Sequence, residues 1–428
     1  MKWKEKSFFW TMVTGVPYVP MMGLVGTAPP TKTTHSFMQS LLPRDSDHNN
    51  GGTKDRIPEL DGVRGIAILM VLLSHSMVIV RDTPISGIFQ FGWIGVDLFF
   101  VLSGYLITGV LLRTRSDTNF YRRFYIRRAL RIWPLYYALL AVALCALPAL
   151  RHILPASNSL GTGTGFKTEL LQIFTPWPLY VLFMQNLWPG SLFTFYDAVI
   201  LHVTWSLCIE EHFYFTWPVF VRRFSRRSLA LGLCALLFLF PVLRAGTGIE
   251  LLRYMDFGAF YQISMRFTPL HLDAIAAGCL LSIVFNTVQP LARKTALAWL
   301  LLLGGAAVSS VAITSTNPIL FAFFYCGMAA TFSGFLALAL LGWANVILTN
   351  SMLRYVGRIS YGLYLIHPSV FIAFQSHAMY RRLHLAQHLA AAEYIAAAAA
   401  MAVSIGLAGV SWRFFESRAL ALKGSLAP

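Results

Sequence analysis

The amino-acid sequence predicts an all-α polytopic membrane protein of about ten transmembrane helices, with both termini on the cytosolic side. Three observations predict it. Of its 428 residues 57% are hydrophobic and only 12% charged, about half the charged share of a soluble chain. Long apolar runs recur from residue 58 to residue 415, and only helices and closed barrels satisfy their backbone inside a bilayer. The basic residues are also sorted by side. When the spans alternate from a cytosolic N-terminus, 26 of the 34 Lys and Arg residues fall on that same side. This asymmetry sets the orientation. It also accounts for the net charge of +16 without nucleic acid.

Residues 1–56 differ from the rest. KWKEK followed by FFWTMV looks like the basic and apolar regions of a signal peptide. Pro17 and Pro20 break the run, no small-x-small cleavage site follows, and Arg44 to Lys54 is polar and Gly-rich. The expectation is a poorly ordered cytosolic extension, with a cleaved leader or a mis-assigned start as alternatives.

The expected spans are 62–80, 92–112, 132–149, 204–221, 229–243, 269–285, 296–314, 319–341, 359–374 and 394–415. The first carries Arg64 at its inner end and His75 eleven residues on, about 16 Å along a helix. The second, FGWIGVDLFFVLSGYL, carries Asp97. The third follows a basic segment, FYRRFYIRRALRIWPLYY, and the fourth, TWSLCIEEHFYFTWP, carries Glu210 and Glu211. The sixth carries His271 and Asp273, and the ninth carries His367. The apolar but Pro-broken piece 174–188 is placed in the outer stretch 150–203, because a crossing there would move the Arg222–Arg227 cluster outside. GTGTG at 161–165 follows no strand, so it reads as a loop and not as a phosphate cradle. The five cysteines all lie in apolar stretches without metal-ligand spacing. They predict no disulfide and no zinc site.

Ionisable residues inside a membrane are rare and commonly mark a pathway or a reaction. Helical rise puts His75 and Asp97 about 8 Å below the outer face and the glutamate pair about 14 Å deep. Glu210 and Glu211 point about 100° apart, so at most one faces His75. Glu210 is placed nearer, and a carboxylate holding a histidine makes a general base near neutral pH. At the inner surface Arg127 and Arg131 share a helix face, with Arg128 between them. The Arg fork suits a phosphate-bearing ligand. The other arginines of that segment read as topology signal and lipid contact.

Five motifs in order then resemble the acyltransferase 3 membrane proteins, which O-acylate extracytoplasmic glycans and some small molecules. They are ELDGVRGIAILMVLLSH, GWIGVDLFFVLSGYLI, FYIRRALRIWPLYY, TWSLCIEEHFYFTWP and YVGRISYGLYLIHP, and they cover about residues 57–415. The resemblance implies an acyltransferase-3-like bundle that takes an acyl group from cytosolic acyl-CoA and delivers it to an outer hydroxyl. It makes His75 the essential histidine, Arg64 its Arg-x10-His partner, Arg128 and Arg131 the donor-associated Arg-x-x-Arg, and Glu210 and Glu211 the paired glutamates. His271 stands where the family usually has Arg, which leaves the partner of Asp273 open.

The expected organisation is an extension over 1–56, a transmembrane acyltransferase domain over 57–416 and a short cytosolic tail over 417–428. The expected function is transfer of a short acyl group, acetyl foremost, from acyl-CoA to a glycan hydroxyl in a bacterial inner membrane. A small-molecule acceptor such as a macrolide, or a proton-coupled transporter, is the alternative. His75, Glu210, Glu211 and Asp97 form the expected catalytic set. Arg64, Arg127, Arg128 and Arg131 are the expected acyl-CoA site, and Trp205, Tyr214, Asp273 and His367 lie on the acceptor side or support it. An acyl-His or acyl-Ser intermediate through Ser74 or Ser76 stays open. No cofactor is expected to be bound permanently. The expected partners are acyl-CoA, the acceptor and the bilayer; where several family members carry a hydrolase-like domain, the chain acts alone or with a separate periplasmic transferase.

Overall fold

The computed structural model describes residues 57–77, 79–80, 89–146, 177–188, 201, 203–285, 287–375 and 389–427. The expectations for 1–56, for GTGTG and for Arg81, Arg151, Lys167, Arg381 and Arg382 lie outside the described residues. Every described element is helical. The twelve longest are α1 (Pro58–Ser76), α2 (Gly95–Arg113), α3 (Phe120–Ala141), α4 (Thr204–Arg223), α5 (Arg226–Leu251), α6 (Phe257–Arg266), α7 (Asp273–Val284), α8 (Leu291–Ile313), α9 (Phe324–Leu340), α10 (Ser351–Arg358), α11 (Ser360–Gln375) and α12 (Leu389–Ser411).

Each expected span falls on one of these helices, and the chain is a polytopic membrane protein. Six stretches are long and apolar enough to cross a bilayer: 91–113, 120–145, 226–251, 291–313, 318–340 and 393–426. The apolar helices at α7 and α11 are shorter. α1 and α4 carry Glu59, Asp61 and Arg64, and Glu210, Glu211 and His212, in otherwise apolar sequence. α2 and α9 are buried along most of their length, whereas α3, α5, α8 and α12 expose most of theirs. Both charge-bearing helices, α1 and α4, pack against the buried α2.

Local sequence explains the ends. α1 opens on Pro58, with Glu59 and Asp61 in its first turn, where the ring fixes φ and the acids face the positive end of the helix dipole. Ser225 caps α5 by accepting from the Ser228 N–H, and Asp256 caps α6 by accepting from the Ala259 N–H. α2 and α7 cross at two glycines. A Cβ on Gly104 would lie 2.2 Å from the Ile275 carbonyl oxygen, and one on Gly278 would lie 2.1 Å from that of Val101. Any side chain there would drive the helices apart.

Three elements differ from expectation. α3 starts at Phe120 and not at 132, so the arginine segment and the apolar span form one continuous helix. Long arginine stems pack on apolar surface and carry their heads to polar sites, so the run of charge does not end the helix. α5 continues through Arg244 to Leu251. Arg244, counted with the outer basic residues, is fully buried. The described part of the Pro-broken piece is a five-residue helix, Trp177–Val181, followed by a turn, Gln185–Leu187. That is far too short to cross. The hydroxyls of Tyr136 and Tyr137 donate to the carbonyls of Tyr180 and Val181 at 2.7 and 2.8 Å and pin it against α3.

Candidate active site

α1, α2, α3, α4 and α11 enclose a cavity of about 140 Å³, room for several waters or a slender ligand arm. Arg64, Arg128 and Arg131 line one end. Arg64 donates to Asp61 at 3.0 Å across one turn of α1. The Arg128 guanidinium lies 5.7 Å from the centre of the Tyr214 ring. Three guanidiniums in one enclosure make a cationic pocket fit for phosphate or carboxylate. Arg127 is not among the lining residues; it donates to the Ala427 carbonyl at 3.1 Å. The cavity face of α3 is therefore the i, i+3 pair Arg128 and Arg131, and not the i, i+4 pair expected.

The glutamates separate as their 100° offset requires. Glu210 lines the cavity beside the hydroxyls of Ser103 and Tyr214; these bond to each other at 2.5 Å, so one of their two hydrogens is left for the carboxylate. Glu211 points away towards α3, where Trp133 Nε1 donates to it at 3.4 Å. Its other oxygen is buried without a hydrogen bond.

His75 has a different partner from the expected carboxylate. Its Nδ1 lies 2.9 Å from the Val71 carbonyl oxygen. A carbonyl only accepts, so Nδ1 carries the hydrogen and Nε2 presents its lone pair. The backbone of α1 thus orients the ring in the way a carboxylate otherwise does. The ring meets His367 edge-on, with centres 4.8 Å apart. His367 lies 5.9 Å from Tyr364, which lines the far end of the cavity and bonds to Ser206 Oγ at 2.6 Å and to the Val203 carbonyl at 3.0 Å. A line of side chains thus leads from the cavity through Tyr364 and His367 to His75.

Asp97 is paired with a different histidine. Its Oδ1 is 2.9 Å from His271 Nε2, and the His271 Nδ1 bonds to the Met265 carbonyl. Trp205 stacks on His271 with centres 5.9 Å apart and does not line the cavity. Of Trp205 and Tyr214, only the latter lines the cavity. Asp273 pairs at 2.5 Å with Arg244 from α5, and Cys326 Sγ donates to its other oxygen at 2.8 Å. The open partner of Asp273 is thus an arginine from another helix, and His271 serves Asp97 instead. Among the described residues, no three His, Cys, Asp or Glu side chains converge as metal ligands.

Sequence reading did not single out Ser103, Ser206, Tyr361 or Tyr364. One signal was available: Ser360, Tyr364 and His367 fall at i, i+4 and i+7, one face of a helix. Chemically the site joins a cation cluster, a carboxylate beside a pair of bonded hydroxyls and a pair of imidazoles.

The family model described as an acyltransferase domain matches residues 57–411. The peptidoglycan O-acetyltransferase OatA of Listeria monocytogenes is 26% identical over 348 residues, 73% of this chain and 49% of that protein. YrhL of Bacillus subtilis, named as a candidate peptidoglycan O-acetyltransferase, is 35% identical over 167 residues, 39% of this chain and 24% of its own. A candidate O-acetyltransferase of Staphylococcus aureus strain COL is 32% identical over 169 residues, 38% of this chain and 24% of its own. The matched region spans about half of the first relative and about a quarter of the other two. No solved structure matches the chain. With the family match running from the start of α1 to the end of α12, the chain belongs to the acyltransferase 3 family.

Proposed function

We propose that the protein is a bacterial inner-membrane O-acyltransferase that moves a short acyl group, acetyl foremost, from cytosolic acyl-CoA to a hydroxyl of an extracytoplasmic glycan. Ten helices span the membrane, both termini face the cytosol, and residues 57–416 form the transferase unit between the extension and the tail. The observation that carries this reading is the cavity itself. It has three guanidiniums at one end, and a line of side chains leads from its other end to His75. The names of the relatives support a glycan acceptor.

Arg64, Arg128 and Arg131 hold the CoA phosphates, for which the planar fork is suited. The pantetheine arm runs past Glu210 towards Tyr364. The acceptor enters from the other face, where a separate periplasmic transferase can take over the product. A sugar hydroxyl is a weak nucleophile at neutral pH. His75 Nε2 takes its proton as the oxygen bonds to the thioester carbonyl. When the tetrahedral intermediate collapses, the C–S bond breaks and the imidazolium returns the proton to the departing CoA sulfur. General base assistance of this kind is worth about 10²–10⁴-fold.

Membrane vesicles given acetyl-CoA labelled in the acetyl group test the reading. Label should accumulate in extracted glycan with the wild type and fall to background with His75→Ala. Equal labelling by the two would overturn it.

A further inference from the structure

We propose that His367 is a second substrate-touching nitrogen of the acceptor site. Its Nε2 accepts a hydrogen bond from a donor group beside the hydroxyl that His75 activates. The acceptor is then a vicinal diol or hydroxy-amide, the chemistry of a sugar ring, and not an isolated alcohol. The inference rests on the transferase reading and extends it.

α1 and α11 use the same device. Val71 O is 2.9 Å from His75 Nδ1, and Leu363 O is 3.0 Å from His367 Nδ1, each carbonyl four residues before its ring. Each contact puts the hydrogen on Nδ1 and leaves Nε2 as an acceptor. The two rings then meet edge-on at 4.8 Å. Two matched acceptors on rings in direct contact suit neighbouring donors on one small ligand.

The state of His367 argues against a packing role. It is fully buried, walled by Tyr364 and Phe371 at 5.9 Å each. Its Nε2 is buried and makes no hydrogen bond. An unpaired acceptor in a low-dielectric interior is destabilising, and a phenyl ring would fill the space without that cost. A nitrogen kept there is explained by a donor that arrives with the ligand. The chemistry of the pair calls for neutral hydrogen-bond donors, unlike the phosphate chemistry of the arginine end.

Wild type, His75→Ala, His367→Phe and His367→Gln are expressed in a strain lacking the chromosomal copy. Base-released acetate in purified envelope glycan is measured, along with thermal midpoints of the detergent-solubilised proteins and the KM for acetyl-CoA in vesicles. His367→Phe should keep or raise the midpoint, lower acetate at least tenfold and leave the acetyl-CoA KM within twofold. His367→Gln, which retains a side-chain acceptor, should recover part of the lost activity. Wild-type acetate levels in His367→Phe would overturn the proposal. So would a lowered midpoint with Phe and Gln equally inactive, which would mark a packing residue. Wild type no better than His75→Ala would mean that the transferase reading itself has failed, and the proposal with it.

Discussion

Asp97 and His271, 174 positions apart, form a buried pair with 2.9 Å between Oδ1 and Nε2, each about 1% exposed. Their contact ties the turn before α7 to α2. Asp97→Asn, which still accepts from the imidazole, should keep transfer activity within about tenfold. Asp97→Ala leaves His271 buried and unpaired, and should cost about 3–5 kcal/mol of stability. Thermal midpoints beside vesicle activity separate the outcomes. An inactive Asp97→Asn with an unchanged midpoint would make Asp97 a chemical participant after all.

Arg244 and Asp273 make the second buried pair, at 2.5 Å. The guanidinium also donates to the carbonyls of Leu270 and Ala322, and its centre lies 4.7 Å from the centre of the Tyr325 ring. Lysine has no planar fork with which to repeat these contacts. Arg244→Lys and Arg244→Met should therefore each lower stability, by about 3–5 kcal/mol for the latter. Adding Asp273→Leu to Arg244→Met should recover much of the loss, because no charge is then left buried without a partner. Urea or thermal denaturation in detergent gives the comparison, and a double variant as unstable as the sum of the singles would contradict the pairing.

The two pairs also show which parts of the molecule a sequence discloses. Each apolar run that hydropathy picks out falls on a helix, because lipid and core impose a strong one-dimensional signal. It did not place Arg244 inside, because a charge ends an apolar window whether or not three acceptors await it in space. The spacing of Arg64 and His75 along α1 followed from helical rise alone. The partners of His75 and Glu210 did not, because partner choice depends on how each helix is rotated about its axis. Ser103 reaches Glu210 and Tyr214 for that reason. His75 needs no carboxylate because the Val71 carbonyl of its own helix already fixes the ring. Arg127 was grouped with Arg131 by spacing, yet the tail carbonyl of Ala427 takes it.

The separation of the glutamates gives a third prediction. Glu210 faces the cavity beside two hydroxyls, and Glu211 faces Trp133. Glu210→Gln, which removes a charge facing the cavity, should lower kcat by about 10²-fold or more, a loss of about 2.7 kcal/mol of transition-state stabilisation. Glu211→Gln should retain kcat within about tenfold, since it removes a charge outside the cavity. Initial rates of labelled acetyl transfer decide it, and a larger loss at Glu211 would reverse the assignment.

The arginines give the last prediction. Arg64, Arg128 and Arg131 line the cavity, whereas Arg127 donates to the tail. If the cavity end receives the donor's phosphates, each lining arginine contributes a charge-assisted bond worth about 1.5–3 kcal/mol. The KM for acetyl-CoA should then rise about 10–150-fold in Arg128→Ala or Arg131→Ala. Lysine should recover little, because a point charge does not reproduce the fork. Arg64→Ala should also leave Asp61 without its 3.0 Å partner, so its thermal midpoint should fall along with affinity. Arg127→Ala should change the KM less than about threefold, since its loss touches only exposed or tail contacts. An Arg127 variant as impaired as Arg128→Ala would move the donor site from the cavity to the outer face of α3.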